Sequence, residues 1–212
     1  MLEFTLLKIP IRVEPAFWIT LGLLGFLSSQ GAPGGMEVVL MSSILFVMAG
    51  FISILIHELG HALMIKKYKL PTEIVLSSFG GYATHPAGIL TRIQSFLVTL
   101  AGPALQIVFG LAVLMISRNL DLPNSMIQLF ITFLIWVSIA WAILNCIPVL
   151  PMDGGRMLEA ALGPRRVKLT YTISMLVAVS ACVYGFSIGQ PFIGIFMAMF
   201  AFQNYQTLER FK

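Results

Sequence analysis

Two histidines four positions apart, with a glutamate directly after the first, are the residues of this chain most suited to chemistry. They stand in the segment His57-Glu58-Leu59-Gly60-His61. Residues four apart on a helix share a face, so both imidazoles can bind one metal ion while the glutamate reaches a water on that ion. The spacing predicts a hydrolytic zinc site, with His57 and His61 as ligands and Glu58 as general base. A solvated helix end is the alternative, weakened because the chain has only three histidines.

The helix that must carry this segment lies in a strongly apolar stretch. No charged residue occurs from Val38 to Ile56, directly before the motif, and this run is long enough to cross a bilayer. Of the whole chain, 58% is hydrophobic and 10% is charged, whereas soluble proteins have about 45–50% and about 25%. The sequence therefore predicts a polytopic membrane protein in which the chemistry takes place at membrane depth.

Uncharged stretches predict about six transmembrane helices. The expected spans are residues 15–30, 38–65, 93–117, 122–147, 169–188 and 191–208. The last two are separated by Gly189-Gln190-Pro191, which is typical of a tight turn. We expect residues 1–212 to form one integral-membrane domain with an all-α fold.

A small membrane-associated β element is predicted between the second and third spans. Within Glu73 to His85, the pieces Ile74-Val75-Leu76 and Phe79 to Ala83 are strand-like. The segment Ile9 to Val13 also alternates like an interfacial strand, and its Pro10 would limit it to a sheet edge.

The basic residues predict the orientation in the membrane. With six spans, twelve of the thirteen Lys and Arg residues fall on one side, and Arg118 alone falls on the other. By the positive-inside rule both termini are cytoplasmic, and the motif, followed by Lys66 and Lys67, lies near the cytoplasmic face. The basic excess therefore indicates topology and not nucleic-acid binding. We expect a multi-pass protein of the prokaryotic cell (inner) membrane.

A catalytic zinc ion needs a third protein ligand besides the two histidines. Asp153 stands out because it ends a long uncharged run, where a carboxylate is costly unless it binds a cation or faces water. The fourth span ends on the cytoplasmic side, level with the motif, whereas Asp121 lies on the other side with Arg118. A helix cap at the interface is the alternative for Asp153. The other downstream candidates are Glu73, His85, Glu159 and Glu209, and His85 is read as a loop histidine.

The residues before Asp153 cannot continue a regular helix, because Pro148 and Pro151 each remove a backbone donor. Such a break is tolerated at membrane depth only where it lines a cavity or is buried in protein. It would present backbone groups and the Asn145 amide toward a site, which suits a protease because a peptide must be held extended to be cut. A kinked helix end without a ligand is the alternative.

With these segments in place, the chain resembles the site-2 proteases, a family of intramembrane zinc metalloproteases. The resemblance covers nearly the whole chain in family order. It rests on the motif at 57–61, on Asn145-x-x-Pro148-x-x-Pro151-x-Asp153-Gly154, on Ala101-Gly102-Pro103, on Phe79-Gly80-Gly81 and on the stretch from Ile9 to Phe17. Two positions depart from the family pattern. Gln106 stands where the family often has Asn, and Glu14 lies near a position that is often His.

The resemblance implies a set of roles for particular residues. His57, His61 and Asp153 would bind zinc, Glu58 would be the general base, and Asn145 would help to hold the substrate or polarise its carbonyl. Pro148, Gly80 and Gly81 are further substrate-binding candidates. The family also suggests that the β element is a membrane-dipping hairpin whose edge pairs with the unwound substrate. An ordinary interfacial loop is the alternative for this segment.

The implied enzyme is a zinc metalloendopeptidase that cleaves single-span membrane proteins within or near their transmembrane segments, as in regulated intramembrane proteolysis. A regulatory membrane partner is a further possibility that the sequence leaves undecided. We read the chain as a minimal member without PDZ and CBS domains. A membrane zinc-binding or transport protein is one alternative, although spans three, five and six offer no charged residue for a transport path. A catalytically silent scaffold is the other, and the intact Glu58 counts against it.

Overall fold

The computed structural model describes residues 1–30, 34–78, 80–120 and 125–211. Most of these residues are helical, and a small sheet is formed by segments before and after the second helix. The helices are α1 (Pro15–Ser29), α2 (Met36–Lys67), α3 (Arg92–Ser117), α4 (Ser125–Asn145), α5 (Asp153–Leu162), α6 (Val167–Ser187) and α7 (Pro191–Glu209), with a short 3-10 turn at Pro164–Arg166. The strands are β1 (Leu2–Leu6), β2 (Ile9–Val13), β3 (Ile74–Ser77) and β4 (Gly80–Ala83).

Four of the described helices are long and apolar enough to cross a membrane: Met36–Lys67, Arg92–Ser117, Ser125–Asn145 and Pro164–Ser187. The prediction of a helical polytopic membrane protein is confirmed, whereas the count of six spans stays a prediction. Helix α1 is apolar but has 15 residues, fewer than the about 17–25 of a typical span. The second half of α7 contains Gln203, Asn204 and Gln206, which lower its hydropathy. Part of the predicted fourth span, residues 122–124, lies outside the described residues.

The sheet contains four strands in the order β1-β2-β3-β4. Strands β1 and β2 form one antiparallel hairpin, β3 and β4 form another, and β2 joins β3 in parallel. The predicted β element between the second and third spans is confirmed, and the amino-terminal strands extend it. The strands observed between these helices are Ile74–Ser77 and Gly80–Ala83, and Phe79 is outside the described residues.

The prediction that Pro10 restricts its strand to a sheet edge is wrong. Strand β2 is an inner strand between β1 and β3. Its register with β3 begins at the pair Ile11 and Ile74, one residue beyond the proline. Pro10 therefore lies opposite Thr5 of β1 and outside the ladder with β3, so its missing N–H leaves that ladder intact.

The chain divides into two compact units. One contains Met1–Ala87 and Ala101–Ala142, and the other contains Gly88–Leu100 and Ile143–Lys212. The prediction of a single domain stays a prediction.

The core of the first unit forms where the sheet packs on helices α1 and α2. Alternate residues of β2 point inward, so Ile9, Ile11 and Val13 are all buried. They join Phe17 and Leu21 of α1, Ile54, Leu59 and Ala62 of α2, and Ile74 and Leu76 of β3. The sheet therefore fixes the stretch of α2 that carries the histidine motif.

The core of the second unit joins helices α6 and α7 to the segment between α4 and α5. Its buried members are Val149, Met152, Ala178, Met197, Phe200 and Ala201. Because Val149 and Met152 lie in the predicted helix break, that segment is packed into protein, as irregular backbone at membrane depth must be.

Candidate functional site

The motif residues lie in the carboxyl-terminal third of the 32-residue helix α2 and are almost completely buried. Side chains His57, Glu58 and His61 have exposed fractions of 4%, 3% and 8%. The Nε2 atoms of the two histidines lie 3.1 Å apart. Two nitrogen ligands on a tetrahedral zinc, with bonds of about 2.0–2.1 Å, are about 3.3 Å apart. The imidazole pair therefore fits a zinc ion, and the donor types agree with this metal.

Glycines at the crossing of α2 and α3 make room for this pair. A methyl group added to Gly60 would overlap the Ala101 carbonyl and come within 2.8 Å of the Gly102 Cα. A methyl group added to Gly102 would overlap the His61 ring. Small residues let helices approach closely in membranes. The Ala101-Gly102 segment thus has a defined role at the site, which is to leave space for the second histidine.

The first histidine is held from its other side by a glutamine of α3. Gln106 is completely buried, and its Oε1 lies 2.8 Å from the Nδ1 of His57. Its Nε2 donates to the Ser53 Oγ at 2.8 Å, and the Ser138 hydroxyl of α4 donates to the same oxygen at 3.0 Å. Three helices of the first unit thus contribute to one buried hydrogen-bond network that ends on His57.

Sequence reasoning missed this network and treated Gln106 only as a departure from a family pattern. A usable signal existed in the spacing. Ser53 is four residues before His57 and Gln106 is four residues after Gly102, so each shares a helix face with a residue of the site. Uncharged polar residues at such positions in apolar spans are candidates for support of the metal ligands.

The sheet lies directly against the predicted general base. A Cβ at Gly81 of β4 would come within 2.7 Å of the Glu58 Cγ and 2.7 Å of the Leu76 side chain. Gly80 has a φ of +124°, a conformation that side chains disfavour. The two predicted glycines therefore differ, since Gly80 allows the positive φ at the start of β4, whereas Gly81 allows the close approach to Glu58.

Asp153, Asn145 and Pro148 belong to the second unit. Helix α4 ends at Asn145, α5 begins at Asp153, and the intervening residues are not helical. The predicted helix break is confirmed. The half-buried Asp153 is in the first turn of α5, where a carboxylate interacts favourably with the helix dipole. Its role as third ligand, like the substrate roles of Asn145 and Pro148, stays a prediction.

The break is held by close backbone packing and by one side chain. Methyl groups at Gly154 and Gly155 would overlap the backbone of residues 146–147 and 149–150, respectively. The buried Asn204 of α7 donates through Nδ2 to the Leu150 carbonyl at 2.8 Å and to the Phe200 carbonyl at 2.7 Å. Sequence reasoning also missed Asn204, which ties the last helix to the segment that leads to Asp153.

Two of the other ligand candidates have ordinary surroundings. Glu73 forms an ion pair with Arg12 at 3.2 Å on the sheet. His85 is exposed, and its Nδ1 donates to the neighbouring Pro86 carbonyl at 3.0 Å. The exposure of His85 and its bond to the adjacent residue agree with the prediction that it is a loop histidine.

Comparison with known proteins shows which family the chain is similar to. The family model described as peptidase family M50 matches residues 116–184, which include Asn145 to Asp153. A candidate zinc metalloprotease of Synechocystis sp. is 32% identical over 163 residues, covering 74% of this chain and 42% of the relative. A zinc metalloprotease of Methanocaldococcus jannaschii is 29% identical over 163 residues, covering 76% of this chain and 45% of the relative. The chain is thus similar to peptidase family M50 and to relatives described as zinc metalloproteases.

The fold agrees with that of a solved site-2 protease. A site-2 protease from Methanocaldococcus jannaschii superimposes with a TM-score of 0.66 at 22% identity, covering 98% of this chain and 94% of that one. The chain spans less than half the length of the two curated relatives. Family and fold thus rest on separate comparisons.

Proposed function

We propose that this protein is an intramembrane zinc metalloendopeptidase that hydrolyses peptide bonds within or near the transmembrane segments of other membrane proteins. The observation that carries the proposal is the buried pair of Nε2 atoms, 3.1 Å apart on a helix that can span a membrane. Glu58 lies on the same buried turn. Both relatives are described as zinc metalloproteases, which supports the proposal.

His57 and His61 would hold the zinc together with Asp153, the carboxylate that the sequence favours as third ligand. When bound, the metal would lower the pKa of a water toward about 7 and polarise the scissile carbonyl. Glu58 accepts the proton of the attacking water and returns it to the leaving amine. The contact with Gly81 limits the conformations of the Glu58 side chain, so the base is held in place before substrate arrives.

The sheet offers a way to hold the substrate extended. In the described sheet β4 is paired on one side only, by β3, and an extended peptide can add to such an edge through backbone hydrogen bonds. The opposite edge strand, β1, carries Glu3, which pairs with Arg12 at 3.3 Å, and charge discourages strand addition. Strand β4 has the uncharged sequence Gly80-Gly81-Tyr82-Ala83. An unwound substrate would therefore pair with β4, beside Glu58, and Asn145 and Pro148 would assist in holding it.

Single-span membrane proteins are the proposed substrates, because a transmembrane helix must unwind locally before its backbone can be cut. The basic residues support a placement with both termini and the site toward the cytoplasm. A regulatory membrane partner would add selectivity that the catalytic unit does not itself supply.

Cleavage of a single-span membrane protein by the purified protein in liposomes tests the proposal. We expect product from the zinc-loaded wild type, none after chelation, and recovery when zinc is restored. Glu58→Gln should keep its zinc and lose about 10²–10⁴-fold in kcat, the usual contribution of a general base. A full rate for that variant would remove Glu58 from the mechanism.

The same liposomes separate the alternative functions. Zinc entering the vesicles without any cleavage would indicate a transporter. Bound zinc with neither cleavage nor transport, across a panel of single-span substrates, would indicate a silent scaffold.

A further inference from the structure

A buried chain of uncharged polar groups leads from α4 to the first histidine. It runs from the Ser138 hydroxyl to the Ser53 Oγ, then through the Gln106 amide to the Nδ1 of His57. Ser53, Gln106 and Ser138 all have exposed fractions of 0%. Burying polar groups in an apolar interior is unfavourable unless each is hydrogen-bonded, so a connected network in this place needs a reason.

The structure places the glutamine amide with its nitrogen toward Ser53 and its oxygen toward His57. The Gln106 Nε2 donates to the Ser53 Oγ, which also accepts from Ser138. The amide oxygen faces His57 at 2.8 Å from its Nδ1. An amide oxygen can only accept a hydrogen bond, so the proton of a neutral His57 must lie on Nδ1.

That tautomer leaves the lone pair on the nitrogen that faces His61. A neutral imidazole carries one proton, so a protonated Nδ1 means that Nε2 carries no proton. The Nε2 of His57 is the atom that lies 3.1 Å from the Nε2 of His61. We propose that Gln106, oriented by Ser53 and Ser138, is a positioning residue that holds His57 in the tautomer and ring orientation that a metal ligand requires. This inference rests on the proposed function in one respect, namely that His57 binds zinc through Nε2.

The proposal assigns graded roles to the three supporting side chains. Gln106 bonds His57 directly, Ser53 orients the amide, and Ser138 bonds only Ser53. Loss of an outer partner of a metal-binding histidine typically weakens metal affinity about 10–100-fold. We expect the affinity for zinc to fall most in Gln106→Met, which keeps length but loses both hydrogen bonds, less in Ser53→Ala, and least in Ser138→Ala.

The first measurement is the dissociation constant for zinc, by chelator competition on the purified proteins in detergent. Ser43→Ala is the matched control, because Ser43 is also a buried serine of α2 but bonds the Val39 carbonyl of its own helix. It should bind zinc like the wild type. Unfolding temperatures of the metal-free proteins separate positioning from general damage, since positioning predicts weaker zinc binding at a nearly unchanged unfolding temperature.

The second measurement reads the tautomer directly, by nitrogen NMR of metal-free protein labelled in its three histidines, with His85→Gln to aid assignment. We expect His57 to carry its proton on Nδ1 in the wild type and to populate both tautomers in Gln106→Met. If Gln106→Met fails to fold, the His57 tautomer is compared between the wild type and the variants Ser53→Ala and Gln106→Asn instead.

Wild-type His57 with its proton on Nε2, or unchanged zinc affinity in folded Gln106→Met and Ser53→Ala, would overturn the inference. Failure of the proposed function is distinct, since it would be seen as wild-type protein that binds no zinc or cuts no peptide, whatever the His57 tautomer.

Discussion

The histidine pair and Asp153 are positioned by opposite means. The histidines stand inside a continuous helix of 32 residues, so their spacing is set by helix geometry, and side-chain hydrogen bonds adjust the ring of His57. Asp153 begins a helix of 10 residues after an irregular segment, so its position depends on how that segment packs. The difference teaches that one proposed ligand can be supported by hydrogen bonds to its own side chain, and another by the packing of the backbone around it.

The strongest test of this contrast removes a ligand from each region. His57→Ala and Asp153→Ala should both lose bound zinc, from near one ion per chain toward none, and all peptide cleavage with it, because a catalytic zinc site holds the metal with three protein ligands. Elemental analysis of the purified variants measures this. His85→Ala is the control and should keep both zinc and activity. Retained zinc in Asp153→Ala would end its assignment as a ligand.

Backbone fit can be challenged in each region by a single methyl group. Gly154→Ala and Gly60→Ala both place a Cβ against neighbouring backbone, and we expect each to lower the free energy of unfolding by about 1–3 kcal/mol, the usual cost of overpacking. Zinc affinity should fall as well. Gly22→Ala is the matched control because nothing lies within 4 Å of its added Cβ.

Chemical denaturation in detergent, with zinc titration, measures these effects. If Gly154→Ala has wild-type stability, the segment between α4 and α5 adjusts to the added methyl group at little cost. Backbone packing would then not determine the position of Asp153.

A narrower test concerns the strand that lies against the base. Gly81→Ala should push the Glu58 side chain away, since the new Cβ would come within 2.7 Å of its Cγ. A small displacement of a catalytic group can cost up to about 10²-fold in rate. We expect kcat to fall while zinc content stays at the wild-type level. Tyr82→Phe, in the same strand and with an exposed side chain, should leave kcat unchanged.

The smallest expected effect separates Asn204 from Gln106. Asn204→Leu removes the donor to the Leu150 carbonyl, and leaving a buried acceptor unpaired costs about 1–3 kcal/mol of stability. Zinc affinity should change less than it does in Gln106→Met. The measurement is a comparison of unfolding temperature and zinc dissociation constant in the two variants. Thr207→Val, which loses a hydroxyl that bonds within α7, is the control. If Asn204→Leu lost as much zinc affinity as Gln106→Met while its stability stayed unchanged, Asn204 would support the metal site and not the segment before Asp153.

The histidine helix and the helix break could be predicted because both depend on local rules. Apolar length and the four-residue spacing place His57 and His61, and the missing N–H groups of Pro148 and Pro151 end α4. These rules need no knowledge of which elements are neighbours.

The supporting contacts could not be predicted, because they depend on packing between distant segments. The four-residue spacing marks Ser53 and Gln106 as candidates, but it does not show that the face of α3 with Gln106 turns toward α2, so Gln106 could not be paired with His57. The parallel pairing of β2 with β3 joins segments on either side of α2, and the edge assignment of Pro10 therefore failed. Asn204 was hidden for the same reason, as its partner Leu150 lies in another element.

The uncharged edge at β4 has a consequence for selectivity. A strand that adds there is held mainly by backbone groups, which are the same in every peptide, so the edge does not distinguish side chains strongly. What differs between membrane segments is the free energy needed to unwind them. Transmembrane helices that contain glycine or proline are less stable as helices, so they lose less free energy when they unwind into an extended conformation. On this basis the proposed protease would rank its substrates by how readily their helices unwind, and a stable helix would be spared even when its sequence fits.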